Sequence, residues 1–422
     1  MKRSKYTYRL EYGDSVYFSN GLSQQFFKVG TEKADNVDYL LTHADECKEV
    51  LPTFYQKMTD GLFITNSAED EANVLLQKYN AVKQPHLFRL MVLPTYQCNL
   101  RCWYCTQNHE DLFISRETVN RIKSLIKKIM DDDEIKNFIL SWFGGEPILC
   151  YDTVVELTTY AKNECEKAGK NFGCDITTNS TLLDHARINE LIALGVNSFQ
   201  ITIDGTKEVH DKIKRLEKGS AYEKALENIE IIALAGVSCN VRFNYTKKNL
   251  NPEGIISDLK SHLSTEALKN CNFLLYKVWQ EDSNCIPQKD VDRLFSGVKE
   301  LGMRPRFSIL DLCYADFKNF CSIFPNGKLA KCDNLDPENL TSEILEDGTI
   351  QWSDQITQVQ EIKPEDGSFC AECKYYPMCW GPCQGRRQRL GKLDKCPFDE
   401  KYMNDMLINY CRNIDSYKKE TI

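Results

Sequence analysis

The sequence predicts an α/β fold built on a parallel sheet. Two observations predict it. From residue 88 to about residue 305, short apolar runs alternate about six times with stretches of helical periodicity. Polar residues and glycines also gather where those runs end, the edge at which parallel α/β folds place their sites. Periodicity alone leaves a barrel and an open sheet both available.

The elements follow in order. "LFRLMVLPT" reads as a buried strand that runs into a loop holding three cysteines. In "SRETVNRIKSLIKKIM", Val119, Ile122, Leu125, Ile126 and Ile129 share one face of a helix. "NFILSWF" is the next strand and ends in "GGEP". "YDTVVELTTYAKNECEKAG" is a helix, "CDITTN" a strand, "DHARINELIALG" a helix and "SFQITID" a strand. "SAYEKALENIEIIALAG" opens with Ser220 and Glu223 as a capping box and closes at Gly236. "CNVRFNYT" and "NFLLYKV" are further strands with a helical stretch between them. After about residue 305 the pattern breaks into short strands, turns and cysteines, and "DEKYMNDMLINYCRNI" closes the chain as a helix. Residues 1–88 form a leading module. "YTYRLEY" and "SVYFS" alternate like strands, and "SAEDEANVLLQKYNAV" is a helix with Ser67 as its N-cap. Small strands with helices suit a winged-helix recognition module. The expected division is therefore residues 1–88, 89–305, 306–400 and 401–422.

The chain has 422 residues and a net charge of −8, which gives no reason to expect nucleic acid as a partner. "GRRQRLG" (Arg386, Arg387, Arg389) and the acidic run Asp131–Glu134 read as solvated faces. No signal peptide and no run near the ~18 apolar residues of a membrane span is found, so a cytoplasmic protein with no membrane partner is expected. In that compartment disulfides do not persist, and 19 cysteines point to metal or catalysis. Cys47, Cys150, Cys165, Cys174, Cys239, Cys271, Cys285 and Cys411 are scattered and read as small buried hydrophobes. The other eleven fall into spaced sets.

Cys98, Cys102 and Cys105 have the spacing C-x3-C-x2-C. Three thiolates on a short loop can hold three irons of a [4Fe–4S] cluster and leave the fourth open. His109 nearby leaves a four-ligand zinc site as the alternative. "CNLRCWYC" resembles the cluster-binding signature of radical S-adenosylmethionine (radical SAM) enzymes. That resemblance implies a partial (β/α)6 barrel and a cluster whose open iron chelates SAM. It further implies reductive cleavage of SAM to a 5′-deoxyadenosyl radical that abstracts a substrate hydrogen. Tyr104 should then lie near the adenine. "GGEP" (Gly144, Gly145, Glu146, Pro147) corresponds to the segment that meets the SAM amino group, and Glu146 could pair with an ammonium. Thr177, Thr178 and Asn179 match a polar ribose-side segment, and Gln200, Thr202 and Asp204 a fourth-strand segment. Lys214 occupies the position of an arginine that contacts SAM, with Arg215 next to it, so either is a candidate.

Further on, Cys313, Cys321 and Cys332 precede a C-x2-C-x5-C-x3-C run (Cys370, Cys373, Cys379, Cys383) and Cys396. Zinc sites built on "CAEC" and "CWGPC" are one reading. The whole set resembles a SPASM domain with two auxiliary [4Fe–4S] clusters. The resemblance assigns Cys313, Cys321, Cys332 and Cys383 to the first and Cys370, Cys373, Cys379 and Cys396 to the second. Eight thiolates would saturate both, which suits electron transfer. Asp333, directly after Cys332, is the acid–base candidate. The enzymes so resembled modify peptides. Maturation of a ribosomally made precursor, bound through its leader by strand addition, is the first expectation. Formylglycine formation in a sulfatase is the second. A flavodoxin- or ferredoxin-type donor would supply electrons.

Overall fold

The computed structural model describes residues 1–278, 280, 288–306, 312–335, 339–353, 362–364, 367–390 and 396–418. Cys285 and the 279–287 connection otherwise lie outside the described residues. The chain forms two units. One comprises residues 86–308 with 319–358, the other residues 1–85 with the described parts of 309–318 and 359–422.

The larger unit is built on a nine-stranded sheet. Its strands are β1 (Leu87–Val92), β2 (Asn137–Trp142), β3 (Asn171–Thr178), β4 (Val196–Ile203), β5 (Ser238–Tyr245), β6 (Cys271–Lys277), β7 (Arg304–Arg306), β8 (Asn319–Ile323) and β9 (Leu329–Ala330). The order is β7-β6-β5-β4-β3-β2-β1-β8-β9, and only the β8–β9 pair is antiparallel. Seven strands in unbroken chain order wind as a barrel does; a doubly wound sheet reverses its order at a switch point. The helices between them include α1 (Arg116–Met130), α2 (Tyr151–Ala168), α3 (His185–Ala193), α4 (Lys207–Lys214), α5 (Ala221–Leu234) and α6 (Pro252–His262). Their starts follow from capping: Ser115, Asp184 and Ser220 each accept a backbone N–H three residues on.

Each strand alternates. Leu90, Val92, Phe138, Leu140, Ile176, Phe199, Ile201, Val241, Phe243 and Phe273 join Val119, Ile122, Leu125, Ile126 and Ile129 of α1 in one core. The residues between them, among them Arg89, Asp175, Gln200, Thr202, Arg242 and Asn244, are half-buried and turned to the helix-free face. All the parallel strands end on one edge. The loops 93–115, 143–146, 179–184 and 204–206 leave from it and carry the cysteine triad and the other predicted segments.

The smaller unit contains a three-stranded antiparallel sheet, Thr7–Tyr12, Ser15–Asn20 and Phe26–Gly30. Val16 and Phe18 pack on Leu41, Cys47, Tyr55 and Met58 of the helices after it. Tyr8, Leu10 and Tyr17 pack on Tyr375, Met378, Met403, Leu407 and Cys411. The two units group the chain differently from four consecutive segments. Residues 319–330 extend the barrel sheet beside β1, and the cysteine run and closing helix bury their apolar side chains on the leading sheet. "GRRQRLG" also differs from expectation. Arg387 is buried, ion-paired with Asp316 and hydrogen-bonded to the Pro382 carbonyl, because a guanidinium taken out of water needs its counter-charge. No helix among the described residues is long and apolar enough to cross a membrane.

Candidate active site

The cysteine loop is held by its neighbours through backbone contact. Gly145 N–H donates to Thr95 O at 3.0 Å and Glu146 N–H to Gln97 O at 2.8 Å. A Cβ on Gly144 would stand 2.7 Å from Thr95 O, and one on Gly145 2.1 Å from Gln97 O. Gly144 also has φ +115. Only glycine lets the two chains approach this closely.

Glu146 is fully buried, and its carboxylate is turned inward. It accepts from Ile148 N–H at 3.1 Å, Thr178 Oγ1 at 2.7 Å and Asn179 N–H at 2.8 Å. Burial pushes its pKa up to about 7 against those three bonds. Glu146 thereby ties "GGEP" to the end of β3. Pro147 starts the short helix that this carboxylate caps. Asn179 continues the brace: its Nδ2 donates to Asn99 Oδ1 at 2.9 Å and approaches Cys98 Sγ at 3.5 Å. Leu100 N–H also donates to Cys98 Sγ, at 3.4 Å.

Across the loop, Tyr104 donates to Asp204 Oδ2 at 2.6 Å. Lys214 Nζ lies 2.9 Å from the same oxygen and 3.2 Å from Tyr104 Oη. Lys214 and Asp204 are buried, and Asp204 Oδ1 is buried without a partner among the described residues. Burial, the largest single influence, pulls the Lys214 pKa down; the charges of Asp204, Tyr104 and Cys102 and the Asp204 hydrogen bond together outweigh it and hold it well above the ordinary value. Arg101 N–H donates to Lys214 O at 3.0 Å, so the end of α4 touches the cysteine loop. Of the two adjacent cations only Lys214 enters the site. Arg215 has φ +57 at the end of α4 and its side chain is exposed, so it is not brought to the loop. Gln200 donates to Thr177 Oγ1 at 3.3 Å, and Thr202 pairs in register with Arg242 on the same face.

Among the described residues no three His, Cys, Asp or Glu side chains are drawn together as a preformed metal site. The donor set nevertheless fits a thiolate-held iron cluster. Burial pushes Cys98 up to about 12 and raises Cys102, a penalty that a bound metal removes by taking the thiolate. Two N–H donors already face the Cys98 sulfur. His109 has φ +58, and burial followed by the Arg101 charge lowers its pKa.

The second set of cysteines is divided. Cys313, Cys370, Cys373, Cys379, Cys383 and Cys396 belong to the smaller unit, Cys321 and Cys332 to the larger. In the smaller unit Cys313 shares a hydrogen bond with Cys383, which pulls the Cys383 thiol down. Cys373, Cys379 and Cys396 lie close enough to repel one another's charge, and Cys373 N–H donates to Cys370 O at 3.0 Å. Cys321 is fully buried on β8 in the apolar core, where burial pushes it up to about 12. Asp333 is half-buried in the turn after β9. The scattered Cys47, Cys165, Cys174, Cys239, Cys271 and Cys411 are buried as expected, and Cys150 is half-buried.

Asn99, Asn244 and the Arg89–Ser141–Asp175 group were not anticipated. Asn244 Nδ2 donates to Tyr104 Oη at 3.2 Å; Ser141 Oγ donates to Asp175 Oδ2 at 2.9 Å, and Arg89 pairs with Asp175. Their signal is present in the sequence. A central parallel strand is apolar on both faces unless it lines a site, and "LFRLMV" and "CNVRFNY" each place an arginine mid-strand.

Residues 92–259 match the Radical SAM superfamily. Over 338 residues the chain is 30% identical to the cysteine-type anaerobic sulfatase-maturating enzyme of Clostridium novyi (strain NT), spanning 69% of this chain and 86% of that protein. The chain belongs to the radical SAM superfamily. It is also 28% identical over 169 residues to the Fe-coproporphyrin III synthase of Methanosarcina barkeri (strain Fusaro / DSM 804), 39% of each chain. It spans about two-fifths of the length of the first relatives it matches. The radical SAM fold is shared with anSMEcpe with bound AdoMet, at a TM-score of 0.55 and 16% identity, over 79% of this chain and 99% of that one.

Proposed function

We propose that this radical SAM enzyme is a cytoplasmic peptide maturase, oxidising a ribosomally made precursor by a thioether or carbon–carbon side-chain cross-link. The observation that carries the reading is the thiol triad on a loop braced at the strand ends by Glu146 and Asn179. Cys98, Cys102 and Cys105 would hold the SAM-binding [4Fe–4S] cluster. Tyr104, Gly144, Gly145, Pro147, Thr178, Asn179, Gln200, Thr202, Asp204 and Lys214 would surround SAM, and Glu146 would fix the loop from below. When bound, these cofactors supply the electron and the 5′-deoxyadenosyl radical that removes a substrate hydrogen. The protein's part is to orient them and to exclude water.

A peptide substrate is supported by anSMEcpe, whose structures carry AdoMet with the Kp18Cys or Cp18Cys peptide at TM-scores of 0.54. In our reading an outer strand of the leading three-stranded sheet takes the precursor leader by strand addition. The eight later cysteines form two auxiliary clusters that accept the electron left on the product radical. Asp333 acts as the base, and a flavodoxin- or ferredoxin-type protein is the donor.

The Clostridium novyi relative favours a second reading, formylglycine formation in a sulfatase; it leaves nearly a third of this chain unmatched. The test is an intact mass on a short peptide encoded beside the gene, co-expressed without oxygen. Loss of two hydrogens per modification, surviving thiol alkylation, supports the cross-linking maturase. Unchanged peptides together with activation of a co-expressed sulfatase support the second reading.

A further inference from the structure

Arg89 on β1 and Arg242 on β5 both stand on the helix-free face of the barrel sheet, and they differ in charge balance. Arg89 is neutralised: it pairs with Asp175, and its Nε donates to Ser141 Oγ at 2.9 Å. Arg242 on β5 pairs with no carboxylate among the described residues. Its guanidinium lies 4.2 Å from the centre of the Tyr276 ring, and its Nε donates to Asn244 Oδ1 at 2.9 Å. Stacking and the Nε bond fix the plane of the group. They leave its two terminal amino groups, the fork that matches a carboxylate, without a partner among the described residues.

Its place matters as much. Asn244, two residues further along β5, donates to Tyr104 of the cysteine loop at 3.2 Å. Arg242 therefore stands about 7 Å down the strand from that contact. The buried cation here, Lys214, is already balanced by Asp204 at 2.9 Å. Among the described residues, Asp175 and Asp204 on this part of the sheet are each ion-paired, with Arg89 and Lys214. Arg306 on β7 shares this face with its Nε on Asn272 Oδ1, but it lies two strands further out. Among the described residues Arg242 is the cation without a carboxylate beside the Asn244–Tyr104 contact.

We propose that Arg242 is the anion-receiving side chain of this site and binds a carboxylate through its terminal amino groups. The carboxylate is either the methionyl group of SAM or a carboxylate of the peptide substrate. The proposal rests on the radical SAM reading of the cysteine loop.

The test uses the reconstituted full-length enzyme and its Arg242→Gln and Arg242→Lys variants, with iron and sulfide per chain as the control for folding and loading. One arm measures SAM binding by equilibrium dialysis and by the change that SAM produces in the EPR signal of the reduced cluster. If SAM is the source, Arg242→Gln weakens SAM about tenfold or more, Arg242→Lys weakens it less, and decarboxylated SAM binds both proteins alike. The other arm titrates N-acetyl-L-glutamate amide into the SAM-saturated enzyme and follows the unfolding temperature. If the substrate is the source, a saturable rise is seen in the wild type, not in Arg242→Gln, and not with the neutral glutamine analogue. Unchanged SAM affinity together with no difference between variant and wild type in the second arm overturns the proposal. A wild type that takes up neither iron nor SAM would instead overturn the radical SAM assignment of the loop.

Discussion

Gly145→Ala tests whether close backbone approach, and not loop sequence alone, holds the cysteine triad in place. An added Cβ would sit 2.1 Å from Gln97 O, 2.5 Å from Tyr96 O and 2.6 Å from Gln97 C. Ordinary separation is about 3.5 Å, so one backbone must retreat by more than about 1 Å, and no flexible side-chain end absorbs the shift. Overpacking of this kind costs about 1–3 kcal/mol. The movement also breaks or lengthens the bonds from Gly145 N–H to Thr95 O and Glu146 N–H to Gln97 O, each worth about 1 kcal/mol. The expected loss is about 3 kcal/mol, within the total stability of a domain. The unit should stay folded while the loop leaves its place. Two assays check this: urea unfolding followed by the fluorescence of buried Trp142, and iron and sulfide per chain after anaerobic reconstitution. The variant should unfold at lower urea and lose the iron belonging to the triad. Gly173→Ala is the control, since its Cβ would meet Ile139 Cγ1 at 3.4 Å, and it should change stability by no more than about 0.5 kcal/mol. A Gly145→Ala protein with wild-type iron and a wild-type urea midpoint would refute the reasoning.

Glu146 gives a pH signature. Its folded pKa of about 7 lies above the ordinary 4.5, so the folded state holds the proton more tightly and stability falls as pH rises from about 4.5 to about 7. The drop is roughly 3 kcal/mol, and Glu146→Gln should flatten it in denaturation curves taken across that range. Lys214→Met leaves the Asp204 carboxylate buried and unpaired and should cost about 3–5 kcal/mol in urea unfolding, much of it restored by adding Asp204→Asn. Arg215→Glu, on an exposed side chain, should leave both stability and SAM affinity within twofold of wild type, whereas Lys214→Met should not. Arg387→Met removes the partner of buried Asp316 and should lower the thermal midpoint, with Asp316→Asn/Arg387→Met recovering part of the loss.

The barrel was legible because it depends on local rules. Strand period, helix caps at Ser115, Asp184 and Ser220, and the five apolar residues of α1 each follow from neighbours in sequence. What was not legible depends on pairing across the chain. Nothing near residues 319–330 announces that they lie beside β1, and nothing near Arg387 announces Asp316, 71 residues away. The grouping of later residues with the leading module has the same cause. A cysteine-rich segment reads as a domain of its own, but Tyr375 and Met378 are apolar and found their cover on the leading sheet.

The site divides along the same line. Motif order located the loops because all of them leave one edge of a parallel sheet. It did not say which atoms face the space they enclose. Adjacent cations Lys214 and Arg215 are equivalent as letters; the turn to φ +57 at the end of α4 sends one out and leaves the other against Asp204. For Glu146 the motif suggested an ammonium partner but did not show the three protein donors that make its buried carboxylate a brace. Arg242 went unremarked because it belongs to no motif. A mid-strand arginine between Val241 and Phe243, which pack in the apolar core, has one direction open to it, and that is the helix-free face.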